Sequence, residues 1–244
     1  VDACQRQTAG VYRYIAKAQV TTHMVLGWEI IASCVSAGVA ILALFVSLRQ
    51  GRMANRQSLF DRRLRIWIIA EKLMQLYRIN SELSKKDNEP QFAIDLCFKR
   101  LTNTTYLQEI SAAISHVLES EHQLRLHLKL DEMKSLSMEA TFVFKGQPKT
   151  TIAEFIDAYQ ALLFTIYRYQ IILNEMQANS RKFHWSRDEA VEKLGEERYR
   201  AELYRAEDRL TAAYERLAGK RSIGKIRRQI RLDSTLIDYL NTFR

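Results

Sequence analysis

The feature that most constrains this chain is an unbroken apolar run from Ile30 to Leu48. Its nineteen residues, IIASCVSAGVAILALFVSL, carry no charge and lie between Glu29 and Arg49. As a helix the run would span about 28 Å, close to the roughly 30 Å hydrocarbon core of a bilayer. A core helix of a soluble bundle rarely needs apolar residues on every face, and a cleaved secretory signal has a shorter apolar region. The run therefore predicts a single transmembrane helix.

Arginines are concentrated directly after this run. Arg6, Arg13 and Lys17 precede it, whereas a group of six follows it closely: Arg49, Arg52, Arg56, Arg62, Arg63 and Arg65. By the positive-inside rule, the residues after the helix lie in the cytoplasm and the first 29 lie outside. We expect a single-pass protein of the inner (cytoplasmic) membrane whose first partner is the lipid bilayer, with these arginines near anionic lipid.

Glycine and proline are scarce in this chain, at 8 and 2 of 244 residues, so tight turns and glycine-rich loops are few. The composition favours an all-α fold. Three cysteines, Cys4, Cys34 and Cys97, form no C-x-x-C pair, which argues against a disulfide scaffold or a thiolate metal site. We expect an extracytoplasmic segment at 1–29, the transmembrane helix at 30–48, a basic juxtamembrane stalk helix at 49–89, a cytoplasmic helical bundle at 90–219 and a basic C-terminal helix at 220–244.

Helical periodicity runs on from the membrane helix into the stalk and ends in the polar segment before Pro90. The pattern beyond it predicts a helix over 91–129 with a break near 103–105, and a short helix over 131–139. The segment TFVFKGQPKT, which contains Gly146 and Pro148, is the only strand-like piece and predicts a turn or small hairpin. The last helix is expected to follow a basic link between Gly219 and Gly224.

Two capping boxes predict where helices begin. Thr151 with Glu154 predicts a helix over 152–177, and Ser186 with Glu189 predicts one over 187–218. The first helix has an aromatic-rich apolar face, typical of a core helix but also compatible with base stacking. The second has a heptad-like seam that suits packing in the bundle or against a neighbouring subunit, formed by Tyr199, Leu203, Ala206, Leu210, Ala213 and Leu217.

Small residues recur at intervals of three and four along the membrane helix: Ala32, Ser36, Ala40, Ala43 and Ser47. Such a face lets helix backbones approach closely in lipid, so it favours a homo-oligomer over a monomeric anchor. In an oligomer, Ser33, Ser36 and Ser47 are candidates to border a central passage.

Positive charge is concentrated in two segments. Residues 49–65 carry a net +5 and residues 220–231 a net +6, against +9 for the whole chain, so the remainder is nearly balanced. The second group consists of Lys220, Arg221, Lys225, Arg227, Arg228 and Arg231. It is compatible with a solvated or lipid-facing helix end, or with a site for nucleic acid or a regulatory protein.

Catalytic motifs are missing from the sequence, which contains no G-x-x-x-x-G-K-[ST], G-x-G-x-x-G, H-E-x-x-H or G-x-S-x-G. No histidine follows an arginine at the spacing that HEPN ribonucleases use. The segment His116-x-x-Glu119-x-x-His122 contains one Glu-x-x-His pair, but ferritin-like carboxylate sites need a second pair. We therefore predict a non-enzymatic protein without catalytic residues, metal or cofactor, and we expect these three residues on an exposed polar face of a helix.

The arginine-rich exit RQGRMANRQ is followed by a long helix that opens with LFDRRLRIW, from Leu59 to Trp67. Over residues 28–80 this arrangement resembles a widespread group of uncharacterised bacterial single-pass membrane proteins. Several of these look like membrane effectors of retron or CRISPR anti-phage systems. The resemblance implies a helical effector or accessory protein that assembles in the inner membrane, with pore formation or membrane perturbation as its action. The alternative is a membrane-tethered scaffold or adaptor that binds nucleic acid or a protein partner through residues 220–231.

Overall fold

The first 89 residues contain no proline, and one helix, α1, occupies most of them, from Asp2 to Ser84. The computed structural model describes the backbone of residues 2–84 and 94–241, and the side chains of residues 33–80 and 94–231. The chain is 90% helical, and the described residues contain no strand. The all-α prediction is therefore confirmed. The chain divides into two units, Val1–Arg56 and Gln57–Arg244.

Seven shorter helices lie within residues 94–241, where short connections join each of them to the next. They are α2 (Ile94–Leu101), a 3-10 helix (Gln108–Ile114), α3 (Ser120–Val143), α4 (Gln147–Phe183), α5 (Arg187–Leu194), α6 (Glu196–Ala218) and α7 (Lys220–Asn241).

The second unit contains the hydrophobic core, and α1 contributes one face to it. Ile66, Ala70 and Leu73 have no exposed surface, and Tyr77 is also buried. Their spacing of three and four residues places them on one side of the helix. Burying a large apolar side chain stabilises the fold by about 1.5–3 kcal/mol. The second half of the stalk is therefore part of the bundle.

Helix α4 is the central element of the second unit, where it packs most extensively against α6 and α3. The aromatic face predicted for it is buried, so these rings form the core and do not offer a surface for stacking bases. Three buried tyrosine hydroxyl groups on α4 donate hydrogen bonds to neighbouring elements: Tyr159 to the carbonyl of Leu101, Tyr167 to the carbonyl of Val117, and Tyr169 to the carboxylate of Glu196.

The hairpin predicted for TFVFKGQPKT is wrong. Thr141–Val143 complete α3, and α4 begins at Gln147. Gly146 makes the turn between them with a φ of 63°, a conformation that glycine adopts without steric cost. Pro148 lies in the first turn of α4, where its missing N–H costs no hydrogen bond. The two ends of the strand-like piece thus belong to two long helices, and Phe144–Gly146 form the turn between them.

The capping box predicted at Thr151 is also wrong, because α4 begins earlier. Thr151 lies one turn inside the helix, and its hydroxyl donates to the carbonyl of Gln147 at 3.1 Å. Glu154 instead pairs with Arg216 of α6 at 3.3 Å between Oε2 and Nη2. Proline in the first turn determined the start of this helix more strongly than the Thr-x-x-Glu pattern did.

The capping box at Ser186 and Glu189 is confirmed, with both reciprocal hydrogen bonds present at the start of α5. The backbone hydrogen bond from Ser186 lowers the pKa of the Glu189 carboxyl. However, the single helix expected over 187–218 is wrong. Gly195, with a φ of 63°, ends α5 and begins α6. The heptad-like seam lies on α6 and packs within the bundle, since Leu203, Leu210 and Leu217 are buried there.

The helix predicted over 91–129 forms three elements: α2, the 3-10 helix and the start of α3. The predicted break near 103–105 is confirmed, since it lies between α2 and the 3-10 helix, whereas the break before α3 was not predicted. The predicted short helix over 131–139 is the middle of α3.

Lys129 links the 3-10 helix to α3, with Nζ at 2.5 Å from Glu109 of the 3-10 helix and 2.6 Å from Glu132 of α3. Burial alone would lower the pKa of Lys129, but the hydrogen bonds to both carboxylates raise it.

Candidate functional site

The apolar segment of α1 lies uncovered in the structure. Among the described residues it belongs to the one helix that is long and apolar enough to cross a membrane, and none of its most apolar 18-residue window is buried. Val35, Ile41 and Phe45 each expose more than 60% of their surface. The segment therefore lacks the burial that a core helix would have. Side chains so apolar need a nonaqueous or protein environment.

The small-residue face is continuous along this segment. Ser36, Ala40, Ala43 and Ser47 follow helical spacing and are exposed, as is Ser33. Ala32 lies outside the residues whose side chains are described. A neighbouring helix could approach this face closely, because its side chains are no larger than serine.

The arginines after the apolar run have two different environments. Arg49, Arg52, Arg56, Arg62 and Arg65 are exposed. Arg63 is buried, and its Nε donates to the carbonyl of Val143 at 2.6 Å, at the C-terminus of α3. Its guanidinium also lies 5.9 Å from the centre of the Phe144 ring. Arg63 therefore serves the bundle and is not available to a lipid headgroup.

The basic residues predicted near the C-terminus are part of α7, which starts at Lys220 without the expected link. Ser222 and Ile226 face the bundle and are buried. The opposite side carries the six cations, Lys220, Arg221, Lys225, Arg227, Arg228 and Arg231, of which only Lys225 is half-buried. An amphipathic helix thus displays these charges on one face.

The turn between α3 and α4, together with the first turn of α4, adds two lysines near this face. Gln229 of α7 accepts from the Lys145 backbone N–H at 3.1 Å and donates to its carbonyl at 2.9 Å. Lys225 donates to Gln147 Oε1 at 2.7 Å. Lys145 and Lys149, both exposed, lie on either side of Gln147 in the segment that contacts α7. We call these two lysines and the six cations of α7 the basic surface.

Sequence reasoning missed Lys145 and Lys149 as part of this surface. They lie more than 70 positions before Lys220, and their segment was interpreted as a hairpin. Neither segment 144–150 nor 219–231 contains an aspartate or glutamate. Eight cations are thus carried by two adjoining segments that contain no carboxylate, and such a cluster of lysine and arginine is typical of a surface that binds a polyanion.

His116, Glu119 and His122 are brought together at the start of α3, and their ligand atoms all lie within 4.8 Å of one another. They are not on one continuous helix, as we had expected. His116 is in the turn after the 3-10 helix, and Glu119 is the residue that precedes α3. His116 also lines a cleft of about 470 Å³ together with Lys99, Thr102, Asn103, Gln108, Ser111, Ala112 and Ser115.

We compared the chain with protein-family models, with curated protein sequences and with solved structures, and none of the three comparisons gave a match. The fold and its surfaces are therefore interpreted from their own geometry and chemistry.

Proposed function

We propose that this chain is a single-pass protein of the bacterial inner membrane that self-assembles through its apolar helix and acts without catalysis. The observation that carries the proposal is the apolar segment of α1, which is uncovered in the structure and has small residues along one face. The arginines that follow it support a cytoplasmic location for the bundle, by the positive-inside rule. The resemblance of residues 28–80 to membrane effectors adds membrane perturbation in anti-phage defence to this proposal.

Leucine at Ser36 or Ala40 tests the assembly. A bulky side chain on the small face would keep neighbouring helices apart, and helix contacts in lipid are worth about 1–2 kcal/mol. We expect Ser36→Leu and Ala40→Leu to weaken self-association about tenfold, measured as a smaller mass of the detergent-solubilised protein by light scattering.

The matched control is Cys34→Leu, which introduces the same leucine side chain on the opposite side of the helix. Its mass should equal that of the parent chain. Equal masses for all three variants and the parent would contradict assembly through the small face. If assembly perturbs the membrane, a potential-sensitive dye should report depolarisation in cells that make the parent chain, and less in the two face variants.

The basic surface supports a second candidate function, a membrane-tethered adaptor that binds nucleic acid. The specific observation is that Lys145 and Lys149 join the six cations of α7. Lysine and arginine side chains bind phosphates and release counterions, so such binding weakens steeply as salt increases.

The adaptor hypothesis predicts a change in salt dependence. Replacing Lys145 and Lys149 by glutamine should flatten the plot of log affinity against log salt by about 0.9 for each phosphate that the variant no longer neutralises. Affinity for a short duplex would be measured by fluorescence anisotropy. The control removes the same charge elsewhere, through Lys72→Gln with Lys134→Gln, and should leave the slope unchanged. Binding that stays flat between low and physiological salt would exclude this function.

A further inference from the structure

The three residues His116, Glu119 and His122 form a cluster that neither proposed function uses. On an unbroken helix, the first and last of them would lie about 9 Å apart along the axis and point in different directions. Here Glu119 has extended backbone angles, with a φ of −80° and a ψ of 120°, and α3 begins only at Ser120. The change of direction at Glu119 stacks the two imidazole rings, with centres 4.8 Å apart.

The carboxylate of Glu119 lies near one nitrogen of each ring. Its Oε1 is 2.6 Å from Nδ1 of His116, and its Oε2 is 3.6 Å from Nε2 of His122. Donors around a tetrahedral zinc ion lie about 3.3 Å apart, as the metal–ligand distances of roughly 2.0–2.2 Å require. One of these separations lies below this value and the other above it, and all three ligand atoms lie within 4.8 Å of one another. Rotation of the two imidazole rings out of their stacked arrangement would bring three donors to one ion.

The cluster is accessible to an ion from solvent. The side chains of His116 and Glu119 are 46% and 60% exposed, and that of His122 is 24% exposed. Two imidazole nitrogens and one carboxylate suit zinc and its neighbours among the transition metals, whereas magnesium and calcium prefer oxygen donors alone. One negative charge also stabilises the divalent ion.

We propose that His116, Glu119 and His122 bind one Zn²⁺ ion, with water in the fourth position. Two histidines, one glutamate and a water molecule are a ligand set found in zinc enzymes, whereas purely structural zinc sites usually have four protein ligands. The proposal goes beyond the membrane function and is independent of it. The ion would join the turn after the 3-10 helix to the first turn of α3, and so stabilise this junction by binding the folded state.

The test is a metal titration of the full chain in detergent, without a histidine tag and after removal of metals by a chelator. Cobalt replaces zinc as a spectroscopic probe, because four-coordinate Co²⁺ absorbs visible light strongly. We expect one Co²⁺ per chain with this spectrum, its displacement by one equivalent of Zn²⁺, and no displacement by excess Mg²⁺. Zinc should also raise the midpoint of thermal unfolding.

Three variants identify the ligands. His122→Ala and Glu119→Gln should each weaken Zn²⁺ binding roughly 100-fold or more, since even loss of an outer partner of a zinc ligand costs about 10–100-fold. His127→Ala is the matched control: it removes an exposed histidine of α3 that lies outside the cluster, and affinity should not change. Circular dichroism of each metal-free variant checks that it folds.

Two results would overturn the proposal. One is a titration of the folded parent chain with neither the cobalt spectrum nor bound Zn²⁺. The other is Zn²⁺ binding that survives both His122→Ala and Glu119→Gln, which would place the metal elsewhere. The cluster would then be only a pairing of Glu119 with its two histidines. None of these readouts involves the membrane, so they do not depend on the proposed function.

Discussion

Arg62 and Arg63 are neighbours in a basic run, yet their side chains make very different contacts. Arg63 is buried and donates to the carbonyl of Val143, one of the last-turn carbonyls of α3 that lack a helical donor. A cation at a helix C-terminus also interacts favourably with the helix dipole. Arg62 is exposed and lies 3.9 Å from Glu139 across the surface. The first contact stabilises the bundle, and the second contributes little.

This difference predicts unequal effects of the same substitution. Arg63→Met should destabilise the fold by about 1–3 kcal/mol, because it leaves a buried carbonyl without its donor. Arg62→Met should cost no more than about 1 kcal/mol, as is usual for an exposed ion pair. Urea unfolding followed by circular dichroism measures both. Equal midpoints for the two variants would show that the Arg63 contact does not stabilise the fold.

At the scale of the elements, the helix boundaries depend on glycine conformation. Gly195, between α5 and α6, has a positive φ, whereas Gly224 lies within α7 in ordinary helical structure. A Cβ atom at either position would meet no atom within 4 Å. Any effect of alanine at these two positions therefore comes from the backbone and not from a clash.

Alanine is accordingly expected to have opposite effects at the two glycines. Gly195→Ala should destabilise the fold by about 1–2 kcal/mol, the cost of the left-handed conformation for a residue with a Cβ atom. Gly224→Ala should stabilise it by roughly 0.5–1 kcal/mol, because alanine loses less entropy in a helix. Thermal unfolding midpoints that move in opposite directions would support this assignment. A stabilising Gly195→Ala would mean that α5 and α6 form one helix.

Sequence patterns predicted some element boundaries and missed others, for reasons visible at single residues. The Ser186 capping box was found because both of its hydrogen bonds are local. The break at Gly195 was missed because a glycine inside a helical pattern costs only about 1 kcal/mol and does not by itself end a helix. The break before α3 contains neither glycine nor proline. Packing against α4 stabilises that break, through contacts such as the hydrogen bond from Tyr167 to the Val117 carbonyl.

At the scale of the whole molecule, the buried apolar residues lie in one of the two units. Every core residue of the described structure, from Ile66 to Ile226, belongs to the unit Gln57–Arg244. The apolar segment of α1 contributes none of them. The second unit therefore has a hydrophobic core of its own, which a domain needs in order to fold in water.

This distribution predicts that residues 57–244 fold without a detergent. The purified fragment should be helical and should unfold in one cooperative transition on heating, as small domains with one core do. The full chain should remain in solution only with detergent, because of its exposed apolar segment. A fragment that aggregates, or that loses helicity gradually, would mean that residues 1–56 are needed for the fold.

The sequence by itself determined the helical class, the uncovered apolar segment and the local capping at Ser186. These properties depend on composition and on residues within a few positions of each other. Only the tertiary structure decided which arginine is buried, that Lys145 and Lys149 extend the basic surface, and that His116 meets His122. The physical reason is that such contacts depend on how α1, α3, α4 and α7 pack, and packing brings together residues that are distant in the chain or separated by a helix break.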